Sequence, residues 1–189
     1  MKKNLFTLGF IAAISMPMIS NAANYQIDTK DAHASINLKV EHLGYSYIKG
    51  RFNTFDGNFS YDPQNIAASQ VTVTVDMSSF DTNHAERDKH IRSSDFLDVK
   101  KYTTATFTST KVEPEANGRM AIHGNLTLHG QTHPLIIEAQ FIGEGDDPWG
   151  GYRAGFSGTT RIELADYGIQ VMGASSYADL ELHVEGIRQ

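Results

Sequence analysis

The stretch Ala178-Asp179-Leu180-Glu181-Leu182-His183-Val184-Glu185 decides the fold. Ala178, Leu180, Leu182 and Val184 alternate with four polar residues, and a period of two sends the two sets to opposite faces of a strand. One face is dry and the other wet, as in a half-buried antiparallel strand. The same reading holds elsewhere. Ala34, Ile36, Leu38 and Val40 alternate with Ser35, Asn37 and Lys39; Val71, Val73, Val75 and Met77 with Thr72, Thr74 and Asp76; and Met120, Ile122, Leu126 and Leu128 share a face with Gly124 among them. Further strands are expected over 45–53, 55–61, 104–112, 135–142 and 154–164, with a short one at 25–27.

Asn117-Gly118, His129-Gly130-Gln131-Thr132 and the run 146–151 supply turn chemistry, whereas Asp56-Gly57 suits a bulge rather than a turn. The strand order reads as a meander. Segment 83–94 lacks alternation and opens with Asn83 and Glu86 in capping-box spacing, which predicts a short helix across one end of the sheet. About eight or nine strands with one apolar face each must close into a barrel or pair as a sandwich. Strands of roughly eight to ten residues would make a barrel about 20 to 25 Å tall, a height that suits an elongated apolar guest.

Composition narrows the function. Lys2 and Lys3, the apolar run 5–19 and the small residues of Ser20-Asn21-Ala22 have the three-part pattern of a cleavable signal peptide over residues 1–22, with cleavage after Ala22. The apolar run is shorter than the ~20 residues of a membrane-spanning helix, and Pro17 interrupts it. The remaining domain, 23–189, is expected to work outside the cytoplasm without stable membrane insertion. It has no cysteine, so its stability rests on packing alone. Loss of Lys2 and Lys3 takes the formal charge from −6 to −8, which disfavours nucleic acid and anionic lipid surfaces as partners. An uncovered edge strand would leave a homodimer open.

A second layer of signal lies in particular residues. Tyr25 to Asp28 with His33-Ala34, the block 41–46, Gly50-Arg51-Phe52 and the block 55–59 are followed by 81–90 (Asp-Thr-Asn-His-Ala-Glu-Arg-Asp-Lys-His), Ser94-Asp95-Phe96-Leu97, 102–109 and 124–130. The last third adds 145–151, Arg153-Ala154-Gly155-Phe156, Asp166-Tyr167-Gly168-Ile169 and 184–188. In order and spacing these resemble the YceI-like polyisoprenoid-binding proteins along nearly the whole exported chain. Thr103, where the family often has Pro, and Leu164, where many members have Arg, depart from the pattern. The resemblance implies an all-β fold: an extended antiparallel eight-stranded lipocalin-like barrel with a short helix at one end. It also implies periplasmic residence and an apolar tunnel for a polyisoprenoid, quinone or prenyl phosphate. On this ground the barrel is preferred over the sandwich.

For such a guest the candidate contacts are Phe52, Phe55, Phe59, Phe96, Phe107, Phe141 and Phe156, since a branched hydrocarbon is held by buried area at ~25 cal/mol per Å². Ordinary core packing is the alternative for each. Phe55, Gly57, Phe59 and Tyr61 share parity, and a glycine among aromatics leaves room for something other than a side chain, so that strand is the foremost ligand contact. Arg87 and His42 are candidates for a polar head group. The charges of the helix also suit solvated pairs, Glu86 with His90 and Asp88 with Arg92.

A metal is not expected. His84 and His90 are six apart on a helix, and a two-residue turn at Gly130-Gln131 would put His129 and His133 on opposite faces; a one-residue register change would reverse that conclusion. No cofactor motif and no catalytic motif is complete: Gly155-Phe156-Ser157-Gly158 is half a nucleophile elbow, and Asp146-Asp147 beside Pro148 reads as a structured turn. The expectation is a binding protein rather than an enzyme. An enzyme acting on a lipid, with His42 and the charged helix as its polar groups, and a solid partner-binding barrel remain as rivals.

Overall fold

The computed structural model describes residues 22–171 and 176–189; residues 1–21, nearly all of the expected signal peptide, lie outside the described residues. The strands are β1 (Ala23–Ile27), β2 (Ser35–His42), β3 (Ser46–Phe52), β4 (Phe55–Tyr61), β5 (Gln70–Asp76), β6 (Phe80–Asp81), β7 (Thr104–Pro114), β8 (Arg119–Leu128), β9 (Gln131–Asp146), β10 (Tyr152–Glu163) and β11 (Tyr177–Arg188), with helix α1 (Ala85–Ile91) between β6 and β7. Eight of them close an antiparallel barrel in the order β1-β4-β5-β7-β8-β9-β10-β11 and back to β1.

A simple meander therefore holds only for β7 to β11. The reason is length: β11 outruns either early strand, so β1 pairs with it at Gly186–Arg188 while β2 takes the same edge at Ala178–His183. The β2–β3 hairpin thus extends one half of the barrel wall, and β6 pairs with the end of β3. The opening stretch behaves as its alternation demands: Ala178, Leu180 and Leu182 stand opposite Val40, Leu38 and Ile36, all facing inward.

Several local expectations shift. Asp56-Gly57 is neither bulge nor turn, because β4 runs in continuous register with β5 from Phe55 opposite Val75 to Ser60 opposite Gln70. The β8–β9 turn is His129-Gly130, both at positive φ, with Leu128 opposite Gln131; the register differs by one residue from a Gly130-Gln131 turn. His129 Nδ1 then meets the Tyr167 carbonyl at 2.9 Å, and His133 packs edge-on against the Tyr167 ring, so both imidazoles are used in packing.

The helix is shorter than 83–94. Asn83 adopts φ 61°, which asparagine tolerates, and this moves the cap to His84, whose Nδ1 accepts from the Arg87 amide. The expected i, i+4 pairs are replaced: Asp88 turns inward to accept from Thr82, Arg92 donates to the carbonyls of Ser78 and Phe80, and His90 meets Asp95. The 146–151 run is a structured turn, in which the Asp147 carboxylate accepts from the amides of Trp149 and Gly151 and from Arg153 Nε.

Candidate functional site

Inward-facing residues meet two different fates along the barrel axis. Near the end where β1 begins, rings fill the lumen. Tyr25 stacks on Phe59 at 4.8 Å, Phe59 meets Phe156 edge-on, and Tyr61 packs against both Phe141 and Phe156. Val112, Met120 and Ala139 complete this plug with Phe141 and Phe156. Glycine makes room for it: the Phe59 ring lies where a Cβ on Gly186 would stand.

Towards the other end the lumen is empty, leaving an apolar cavity of about 640 Å³. Its wall is mainly aliphatic, with Leu38, Val75, Ile162, Leu180 and Leu182 among its residues, and Phe156 belongs to both regions as the floor of the cavity. That volume is in the range of sites that enclose a small ligand. The rim is built from the β2–β3 turn (Glu41, His42, Leu43), from α1 and its flanks (Thr82, Arg87, His90, Phe96) and from Ile169 to Val171.

Of the residues singled out in the sequence, Phe52, Phe55, Phe96, Phe107 and Phe156 line this cavity, and His42 and Arg87 stand at its rim. Phe59, Tyr61 and Phe141 belong to the plug instead. Gly57 offers no vacancy, since a Cβ there would meet the Thr72 carbonyl and Ile27 Cδ1; the space beside it is already filled. The strand expected to be foremost in ligand contact thus contributes Phe55 alone. The aliphatic wall residues, such as Leu38 and Leu180, are marked in the sequence only as members of the alternating sets.

Two polar groups of the rim, Arg87 and Thr82, are tied down. Arg87 donates from Nε to Thr82 Oγ1 at 2.7 Å and from Nη2 to the Thr82 carbonyl, while Thr82 Oγ1 donates to Asp88 Oδ1. Burial pushes the Asp88 carboxyl up, but the bonds from Thr82 and the His84 amide outweigh it and hold it below the usual carboxylate range. This chain of bonds fixes the Arg87 guanidinium at the edge of an apolar cavity.

A second polar cluster straps the outside of the plugged half. Arg153 Nη1 lies 2.6 Å from both Asp28 Oδ2 and Glu185 Oε1, its Nε lies 2.8 Å from Asp147, and His33 joins Asp28 at 2.9 Å. Burial raises the Asp28 carboxyl, yet hydrogen bonds from Arg153, His33 and the Asp31 amide bring it to about 2. The Asp28 bond raises His33 above its ordinary value. Asp28, His33 and Glu185 cluster closely enough to hold a metal ion, but the guanidinium bridges the two carboxylates.

A family model described as the YceI-like domain matches residues 25–186. A UPF0312 protein of Vibrio cholerae is 68% identical over 189 residues, covering all of both chains, and one of Shewanella baltica is 57% identical over 191 residues. Among solved structures, a YceI protein of Campylobacter jejuni is 28% identical, with a TM-score of 0.71, covering 80% of this chain and 91% of that one. A polyisoprenoid binding domain from Saccharophagus degradans has the same fold, at 14% identity and a TM-score of 0.61, covering 89% of this chain and 100% of that one.

Proposed function

Because the chain belongs to the YceI-like family, we propose that it is a periplasmic protein that sequesters or ferries a long isoprenoid lipid (a polyisoprenoid, quinone or prenyl phosphate) with its chain in the barrel cavity. The observation that carries this reading is the wall of the cavity. Down to the Phe156 floor it is aliphatic and aromatic apart from Ser157 and Thr160 of β10, the Thr160 hydroxyl donating to the Ile136 carbonyl, and its charged and imidazole groups gather at the rim with Arg87 and His42. Such a space holds hydrocarbon by area burial and sets direction through one polar end. The polyisoprenoid-binding neighbour supports a prenyl chain as the guest.

Export gives the carrier its purpose, since a hydrocarbon chain cannot cross the aqueous space between membranes unshielded. β1 begins at Ala23, directly after the expected cleavage point, so removal of residues 1–22 leaves the barrel intact. Organic extraction of protein purified from its own cells, followed by mass spectrometry, should release a long isoprenoid in near-stoichiometric amount, and N-terminal sequencing should begin at Ala23. A consistently empty protein would defeat the carrier reading, and an intact Met1 would defeat export.

A further inference from the structure

Leu43 is at odds with its place. It sits at the tip of the β2–β3 hairpin at φ 54°, followed by Gly44 at 78°, with the Tyr45 amide donating to the His42 carbonyl. This is a turn that favours Asn-Gly, and a leucine there bears both a left-handed backbone and an apolar side chain that is 54% exposed. Tyr45, next in the turn, is 87% exposed, and Tyr47 is 56% exposed. Half of the large exposed apolar residues among the described residues therefore lie within five positions, and they adjoin the cavity rim, to which Leu43 itself contributes.

The order of side chains along the hairpin is that of a bilayer interface. Leu43 and Tyr45 are at the tip, Tyr47 follows opposite Glu41, and Lys39 and Lys49 face one another about 15 Å behind the tip at the ordinary strand rise. Lys39 Nζ lies 4.8 Å above the Tyr47 ring and 3.5 Å from Asp179. Lys39, Lys49 and Arg51 stand against Glu41 in β2 and β3, so the hairpin is positive in a chain of net charge −6. Overall charge disfavours an anionic lipid surface, but the hairpin's own side chains carry a net positive charge beside the opening of the cavity, with Lys39 and Arg51 opposite Asp179 and Asp81 of the neighbouring strands.

We infer that the β2–β3 tip is a membrane-docking element that sets the rim of the cavity against an anionic bilayer surface, with Leu43 and Tyr45 entering the interface and the lysines facing the phosphates. Docking is peripheral and reversible. It rests on the carrier reading for its purpose: a long isoprenoid would pass between bilayer and cavity without crossing water.

The test is flotation with vesicles of phosphatidylethanolamine and phosphatidylglycerol. The double variant Leu43→Asn, Tyr45→Ser restores the Asn-Gly pair that the turn prefers, so the barrel should fold at least as well. The vesicle-bound fraction should fall at least about tenfold, the scale of withholding a single leucine from burial. Binding of farnesol in vesicle-free solution should be unchanged in the single variant Tyr45→Ser, whose side chain is no part of the cavity lining, while its flotation falls. Trp149→Ser, at an exposed residue of the β9–β10 turn, should leave flotation unaltered. Wild-type protein that does not float, a double variant that floats equally well, or an equal loss in Trp149→Ser would overturn the proposal. A wild-type dimer that the double variant dissociates, with flotation unchanged, would assign the tip to a second copy instead. Flotation lost as expected, in a wild type that binds no farnesol, would leave docking standing and defeat the carrier reading.

Discussion

Phe55 and Phe59 stand on one strand, point to one side and are four residues apart, yet Phe55 faces the cavity while Phe59 is stacked on Tyr25 and meets Phe156 edge-on. The same contrast divides the whole lumen. In the plugged half, rings from β1, β4, β9 and β10 interlock and glycines are filled by their neighbours; in the hollow half, aliphatic side chains stop short of one another. Both halves obey one alternation rule, so hydrophobic patterning makes the barrel and ring placement decides where it stays open. Stability should reside in the plug and binding in the void.

The largest effect should come from breaking the plug. Phe59→Ala removes a buried ring packed against two aromatic neighbours, Tyr25 and Phe156, and should cost about 3–5 kcal/mol in urea unfolding. Leu38→Ala, at a wall that already borders a void, has fewer contacts to lose and should cost about 1–2 kcal/mol. Equal costs at the two positions would erase the distinction between the halves.

Acid should act on the plugged half in a similar way. Asp28 is held at about 2 in the folded protein, against an ordinary value of ~3.9, so its contribution is in place above pH ~4 and is lost as pH falls through 2. The loss should be about 2 kcal/mol, read as a falling urea midpoint. His33 is raised, so its share is complete below its unfolded value of ~6.5 and fades as pH rises through its folded value. The cluster should be most stabilising between about pH 4 and 6.5. Because it lies outside the plug, affinity for an apolar ligand should not follow this curve.

These contrasts also mark what could be read from the residues alone. Period two told inside from outside at Leu38, Leu180 and Phe59 alike, since it depends only on which way successive side chains point. It could not tell depth, because whether an inward ring meets a cavity or another ring depends on the register of strands far apart in the chain. Tyr61 meets Phe141 and Phe156 only through the pairing of β1, β4, β9 and β10. Gly57 misled for the same reason: the side chain that fills it, Ile27, comes from another strand. Arg87 and His42 stand at the rim because turns and helix ends gather at the ends of a barrel. The inward turn of Asp88 towards Thr82 had no sequence signal.

The smallest effect on stability should accompany the largest effect on binding. Leu180→Trp places a larger side chain into the void opposite Leu38 and should change unfolding free energy by no more than about 1 kcal/mol, because the space is vacant rather than packed. Titration of the wild type and of this variant with a fluorescent polyprenyl alcohol tests the central claim most directly. Saturable binding by the wild type, weakened at least about tenfold in a stably folded Leu180→Trp, is the expected result. Equal affinity in both proteins would mean that the guest does not occupy the hollow half of the barrel.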